Sequence, residues 1–416
     1  MAYGDSPVDE PLRQAWHAFC EQLKQAGDKV FKDYNPPTSL QRADGFRFLT
    51  QNLSQAFDLA LETKDTNYPA LHAFCAPDRK LGGDNADFVY LQAWIDGRSV
   101  YKITGKKGTA RFMNFTVQGP RPEKDAYHGA NFRNLHEPFG DTPEANLFGH
   151  ELKTEWDGSF VLYIGGPKRE PNWLPTTPGS RKLFLRQGFD RWEEESAEYR
   201  IERIDMDRPR PLPTHETIIE AVRWAGDFLT GAMNDWPDHP LGIGMYASAD
   251  RINVFPDTGS GGTGEAEERD ARRGRFAATM RWRLAPDEAL IIEFDDYDAF
   301  WMLTNMGAFW NSMDYLYRNV SYTPSRATVD SDGRVRLIMT HADPRYHNWL
   351  DTQGFGEGYL MYRNVLSRTR PPIHTRLVKV RELASQLPAD SRKVSAEERR
   401  HQLKQRFDGI RRRYRI

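Results

Sequence analysis

The string THADPRYHNWLDTQG, Thr340–Gly354, places His341, Asp343, His347 and Asp351 within eleven positions. Imidazoles and carboxylates so close together offer two chemistries. If the loop folds back, His-x-Asp-x3-His supplies nitrogen and oxygen ligands to a divalent metal. Alternatively, one histidine is a general base or acid and an aspartate orients it. The spacing matches no strong metal motif, so metal is the lesser reading. Just upstream, GAFWNSMDYLYRNVSYTP crowds Trp310, Asp314, Tyr315 and Arg318 together. Aromatic faces beside amides and a guanidinium suit sugars or flat organic ligands. With Asn348, Trp349 and Arg363 they make up the expected substrate-binding set.

These residues need a scaffold, and the sequence writes that scaffold twice. NWLPTTPG begins at Asn172 and NWLDTQGFG at Asn348. Around each string lies the same order: Asp-Gly, an alternating strand, Asn-Trp-Leu, Thr, Gly, and a strand ending in Arg. From Gly158 to Arg186 is 28 residues, and from Gly333 to Arg363 is 30. Asp-Gly suits a hairpin turn, and the Asn amide suits tying down irregular backbone. The first copy has no His or Asp where the second has four. The scaffold therefore does not require those groups, which is the mark of a site grafted onto a fold.

The elements follow from period and punctuation. Apolar steps of three and four predict two N-terminal helices, the second opened by Thr38 with Gln41, and a bridging helix from Ile218 to Trp236. A last helix opens at Ser395 with Glu398. Its stripe Leu403, Phe407, Ile410, Tyr414 is expected to dock, leaving a solvated basic face. Short aromatic and β-branched runs between glycines, such as DFVYLQAWIDG, ARFMNFTVQG, ELKTEWDG and AFWMLTNMG, predict strands. Residues 119–150 read as a long loop carrying runner-up site residues His128, Arg133, His136 and His150. In LGGDNADFVY, Asp84, Asn85 and Asp87 read as a turn that opens the first strand.

The expected fold is mainly β with α additions: two related antiparallel β-sandwich domains, each burying alternating faces between its sheets. The expected divisions are 1–80 helical, 81–208 first sandwich, 209–240 linker and bridging helix, 241–383 second sandwich, and 384–416 basic C-terminal helix.

Composition narrows the function. The net charge is −2 with 28% charged residues, which gives no global attraction to nucleic acid or anionic membranes. No apolar run is long enough to span a bilayer, and the start MAYGDSPVDEPLRQAW lacks a signal-peptide pattern. A cytoplasmic protein is the expectation, with a homo-oligomer left open. Cys20 and Cys75, the only cysteines, build no disulfide framework. GSGGTG at Gly259–Gly264 fits a dinucleotide fingerprint formally, but no apolar helix follows, so no nucleotide cofactor is expected. Eleven Trp, 17 Tyr and 23 Phe fit aromatic-lined pockets.

The strings GGDNADFVYLQAWIDGRSVYKITGKKGTARFMNFTVQG, WDGSFVLYIGGPKREPNWLPTTPG and DGRVRLIMTHADPRYHNWLDTQG resemble bacterial proteins catalogued as domains of unknown function 1254 and 1214. The resemblance covers about residues 80–205 and 280–380 and implies jelly-roll-like sandwiches with helical additions. It implies no reaction and no catalytic set. PRYHNWLD departs from the usual pattern, in which Gly or Pro often precedes Asn. Three functions stay open. One is a hydrolase or lyase on a small oxygenated molecule or glycoside, with His341 or His347 as base and Asp343 or Asp351 orienting it. The others are a non-catalytic glycan or ligand binder, and a scaffold.

Overall fold

A computed structural model describes residues 6–33, 35–120, 141–235, 252–255, 275–367 and 371–416. The first repeat carries β1 (His72–Cys75), β2 (Phe88–Trp94), β3 (Tyr101–Lys106), β4 (Phe112–Gly119), β5 (Thr142–Phe148), β6 (Ser159–Ile164), β7 (Trp173–Leu174), β8 (Lys182–Gly188) and β9 (Glu198–Arg203). The second carries β10 (Arg275–Arg283), β11 (Glu288–Asp295), β12 (Phe300–Met306), β13 (Ser321–Tyr322), β14 (Arg334–Thr340), β15 (Trp349–Asp351), β16 (Glu357–Val365) and β17 (His374–Lys379). The sheet orders are β1-β2-β8-β4-β5 and β7-β6-β3-β9 in one domain, β10-β16-β12-β13 and β15-β14-β11-β17 in the other. Strands β2 to β9 therefore correspond in order to β10 to β17, and β1 is an extra edge strand. The two expected sandwich domains are present, related strand for strand.

Burial patterns show how the four sheets stack. In β6 the residues alternate between half-buried and buried, as in a sheet with one wet face. In β4 and β12 every residue is buried. One face of each packs inside its own sandwich: Phe115 and Val117 lie with Ile103 and Leu162, and Trp301 and Leu303 with Ile292 and Leu337. The other face meets the opposite domain, where Phe88 and Phe112 pack on Phe300, Met302 and Val365. The Phe88 and Phe300 rings stack with centroids 6.1 Å apart. The order of layers is outer sheet, inner sheet, inner sheet, outer sheet.

Helices α1 (Asp9–Asp28), α2 (Ser39–Phe57) and α3 (His215–Thr230) pack around Phe19, Phe48 and Phe228. Their core also takes Cys75 and Leu81 from one domain and Phe309 from the other, so the helices cover the seam. Thr38 caps α2 by accepting from Gln41 N at 3.2 Å. Helix α4 (Ala396–Tyr414) opens with a full capping box between Ser395 and Glu398.

Three expectations are corrected. The segment read as a loop over 119–150 contains β5, which pairs with β4. Its polar sequence hid a strand in which no residue is fully buried. ELKTEWDG forms turns and coil, because Asn172 takes up the backbone of Lys153 in place of a ladder. Helix α4 docks, but its buried row is Arg399, Arg406 and Arg413 with Gly409 and Ile410, while Leu403, Phe407 and Tyr414 are only half-buried.

Candidate functional site

The two asparagines that anchor the repeat do one job. Asn172 donates through Nδ2 to the carbonyls of Lys153 and Val161, both at 2.9 Å, and accepts from Lys153 N at 2.8 Å. Asn348 donates to Thr328 O at 2.8 Å and Arg336 O at 2.9 Å, and accepts from Thr328 N at 2.8 Å. Each amide imitates a peptide group and staples a loop to a strand. The next residue repeats the device: Trp173 Nε1 donates to Gly165 O at 3.1 Å, and Trp349 Nε1 to Thr340 O at 3.3 Å. Asn348 and Trp349 are thus spent on backbone.

The four ionisable residues of the second loop point to separate partners. His341 bonds Thr352 Oγ1 through Nδ1 at 2.9 Å and meets Leu284 O through Nε2 at 3.2 Å. Asp343 receives Nε and Nη2 of Arg399, both at 3.2 Å. Asp351 accepts from Gln353 N at 2.7 Å and lies 3.4 Å from Arg318 Nη1. Burial pushes its carboxyl above the usual range, against the pull of the Gln353 N–H and Arg318. No hydrogen bond joins either histidine to Asp343 or Asp351. Among the described residues, no three His, Cys, Asp or Glu side chains are arranged to hold a metal.

His347 is the member of the set that lines the cleft beside helix α4. It shares this cleft, of about 240 Å³, with Trp192, Arg326, Gln402, Gln405 and Arg406, among others. Four parts of the chain build this cleft: the turn after β8, the segment from Asn319 to Arg326, the loop at His347, and helix α4. Arg399 donates to Gln402 Oε1 at 2.7 Å, which leaves Gln402 Nε2 to donate to His347 Nδ1 at 2.8 Å. The ring proton therefore sits on Nε2, facing Arg326 O at 3.2 Å. Burial lowers the His347 pKa, and the Arg392 and Arg399 cations add to it against the Arg326 carbonyl. The imidazole is neutral with both nitrogens engaged.

Guanidinium groups surround Trp192. Those of Arg326, Arg406 and Arg413 lie 4.1, 4.9 and 4.9 Å from its ring centroid. Arg406 is only 2% exposed and donates to Asn319 Oδ1 at 2.8 Å and Ser321 O at 2.7 Å. Burial brings Arg406 down to about 9 and Arg413 to about 10, and the Arg326 cation pushes both the same way while Asp87 opposes it. Asp87 Oδ1 lies 2.6 Å from Arg326 Nη2 and 3.7 Å from Arg413 Nη1. The turn residue Asp87 is thus a fully buried counter-ion.

The other expected binding residues lie elsewhere. Trp310 and Tyr315 are buried, and neither lines this cleft. Trp310 O accepts from Gly83 N at 2.7 Å, and a Cβ on Gly83 would fall 2.5 Å from the indole. Gly83 also has φ of +67°, so only glycine fits there without strain. Asp314 caps a turn through Leu316 N at 3.2 Å, Arg318 reaches Asp351, and Arg363 donates to Gly83 O. His150 is exposed and stacks on Phe148. His128, Arg133 and His136 lie outside the described residues.

Sequence reasoning missed two groups. One is Trp192 with Arg326 and Arg406; the interval of seven between Arg399, Arg406 and Arg413 signals it, being one face of a helix. The other is Lys80, buried at the seam. Its Nζ donates to Ser312 Oγ at 2.9 Å, sits 3.3 Å from the Tyr315 ring centroid and lies 3.9 Å from Asp84 Oδ2. Burial takes Lys80 down to about 8, with Asp84 opposing.

The family described as "Protein of unknown function (DUF1214)" matches this chain twice, over residues 91–187 and 268–367, so the chain carries the unit in tandem. The chain is similar to a structurally solved, uncharacterised protein from Burkholderia cenocepacia, with 27% identity and a TM-score of 0.76, over 90% of this chain and 99% of that one. A Vibrio parahaemolyticus protein aligns over 86% of this chain and 100% of its own, at 12% identity and a TM-score of 0.40. No curated protein matches.

Proposed function

We propose that this protein binds a small oxygenated organic molecule in the cleft between Trp192, His347 and helix α4. The observation that carries the reading is the cleft itself: an aromatic floor ringed by amide, imidazole and guanidinium groups, where both domains and the C-terminal helix meet. Its volume, about 240 Å³, is below the roughly 300–1,000 Å³ of pockets for drug-sized ligands, so the occupant is a small metabolite. Binding without turnover fits this geometry best, because a general base needs a free nitrogen and His347 has none free.

A hydrolase or lyase reaction is the second reading, favoured by the neutral state of His347 in the cleft. It requires the imidazole to release Gln402 or the Arg326 carbonyl when substrate arrives. The test is a panel of small sugars and aromatic metabolites, followed by calorimetry and by mass spectrometry for product. Binding without product supports the first reading. Turnover abolished by His347→Ala at an unchanged Tm supports the second. If no panel member binds or raises the Tm, both fail. A cytoplasmic setting goes with the proposal, since Cys20 and Cys75 are both free thiols.

A further inference from the structure

The arginines beneath Trp192 outnumber the acids that could balance them. Arg326, Arg406 and Arg413 converge on one ring, and Asp87 is the one carboxylate within ion-pair distance of them among the described residues. The other acids nearby are committed or turned away. Asp190 pairs with Arg111 at 2.6 Å. Glu194 accepts from the backbone N–H groups of Asp190 and Arg191. Glu193 is exposed at the rim. Buried cations gathered around a single anion are costly unless a further anion joins them.

Arg326 shows where that anion would sit. Its side chain is only 7% exposed. It lines the cleft, yet neither Nη1 nor Nη2 has a hydrogen-bond partner. Nη2 touches Asp87 Oδ1 as a close ion contact whose N–H is not aimed at the oxygen. Only Nε is used, donating to Thr323 Oγ1 at 2.7 Å. Arg191 stands at the mouth with an exposed side chain, and Gln405 faces the cleft with no hydrogen bond of its own.

We infer that the cleft is an oxyanion site, in which Arg326 at the base and Arg191 at the mouth hold a carboxylate or phosphate group beside Trp192. Nη1 of Arg326, buried and unmatched, and the exposed guanidinium of Arg191 together suit the two oxygens of such a group. The inference rests on the proposed role of the cleft and adds the charge of its ligand.

The experiment is calorimetry on the full chain with three probes: benzoate, inorganic phosphate, and benzyl alcohol as the neutral counterpart of benzoate. Benzoate or phosphate is expected to bind and benzyl alcohol not to, and whichever anion binds tells a carboxylate ligand from a phosphate one. Arg326→Gln is expected to weaken that anion about tenfold or more, the usual loss for a charge-assisted hydrogen bond. Arg191→Gln, on the exposed rim, should weaken it less and keep the fold whatever happens to the buried variant. If benzyl alcohol binds and neither anion does, the cleft remains a ligand site and the oxyanion inference is wrong. If none of the three binds, the oxyanion inference is wrong, and the panel of sugars and aromatic metabolites decides whether the cleft is a ligand site. Anion binding untouched by Arg191→Gln and by a folded Arg326→Gln places it elsewhere and also overturns the inference.

Discussion

The loops around Asn172 and Asn348 share a staple and differ in what lies over it. The first, with its Lys, Arg and Glu side chains, faces outward; Lys153 and Glu170 pair there at 3.0 Å on an exposed surface. The second is roofed by the C-terminal segment. Arg399 binds Asp343 and the carbonyls of Tyr346 and His347, Gln402 holds His347, and His347 N donates to Arg392 O at 2.8 Å. Of the four ionisable residues that the second copy adds to the scaffold, Asp343 and His347 form the socket for helix α4. Ionisable groups in excess of a fold's needs signal an interface as readily as a reaction centre. Here the interface also builds the cleft, so His347 serves both.

The largest test of that contrast removes a buried cation of helix α4 itself. Arg406→Ala should cost about 3–5 kcal/mol in a urea unfolding series, because it removes charge-assisted hydrogen bonds to the buried Asn319 Oδ1 and Ser321 O. A cost below about 1 kcal/mol would show that α4 is not held in this way.

Removing either staple should cost less, and equally. Asn172→Ala and Asn348→Ala each leave three backbone groups without their partner, for about 2–4 kcal/mol. Only Asn348→Ala should also weaken ligand binding in the cleft. Unequal stability losses would break the equivalence of the two loops.

A smaller effect separates the histidines by pH. Burial, with the Arg79 cation, takes His72 down to about 4, and His347 is lowered as well. The unfolded chain then binds protons that the folded one refuses. Stability should be full above the ordinary histidine value of about 6.5 and fall as pH drops from there toward 4, by on the order of 1–3 kcal/mol. Measuring the urea midpoint from pH 7 to pH 4 for His72→Gln and His347→Gln checks it, since each should flatten the curve. A variant as steep as the parent would remove that histidine from the account.

The smallest effect lies at the C-cap of α4. Arg415 and Glu198 pair at 3.2 Å with both side chains more than half exposed. Arg415→Ala should leave the Tm unchanged, as solvated pairs contribute little. A clear drop would mean that the helix is held by the exposed charge at its C-cap as well as by its buried ones.

Legibility followed the range of the forces involved. The capping box at Ser395 and Glu398 and the cap at Thr38 were readable because each spans three residues. Strands β4, β12 and β16 were readable from dense apolar and aromatic content, whereas β9 and β17 were not, because as edge strands they keep much of their surface wet. The candidate site was legible only at His347. Arg326 sits in an unremarked PSR turn and Asp87 lies 239 positions away, so no local pattern ties them.

By itself, the sequence determined the doubling of the sandwich and the positions of the main helices, since both arise from local period, turn chemistry and repetition. Only the tertiary structure decided which face of α4 is buried, that the turn residue Asp87 is also a buried counter-ion, and that His347 lines the cleft beside α4. Those outcomes depend on desolvation. Whether a charge is buried, and what it then requires as a partner, is set by chain segments far apart in sequence that meet only in the folded protein.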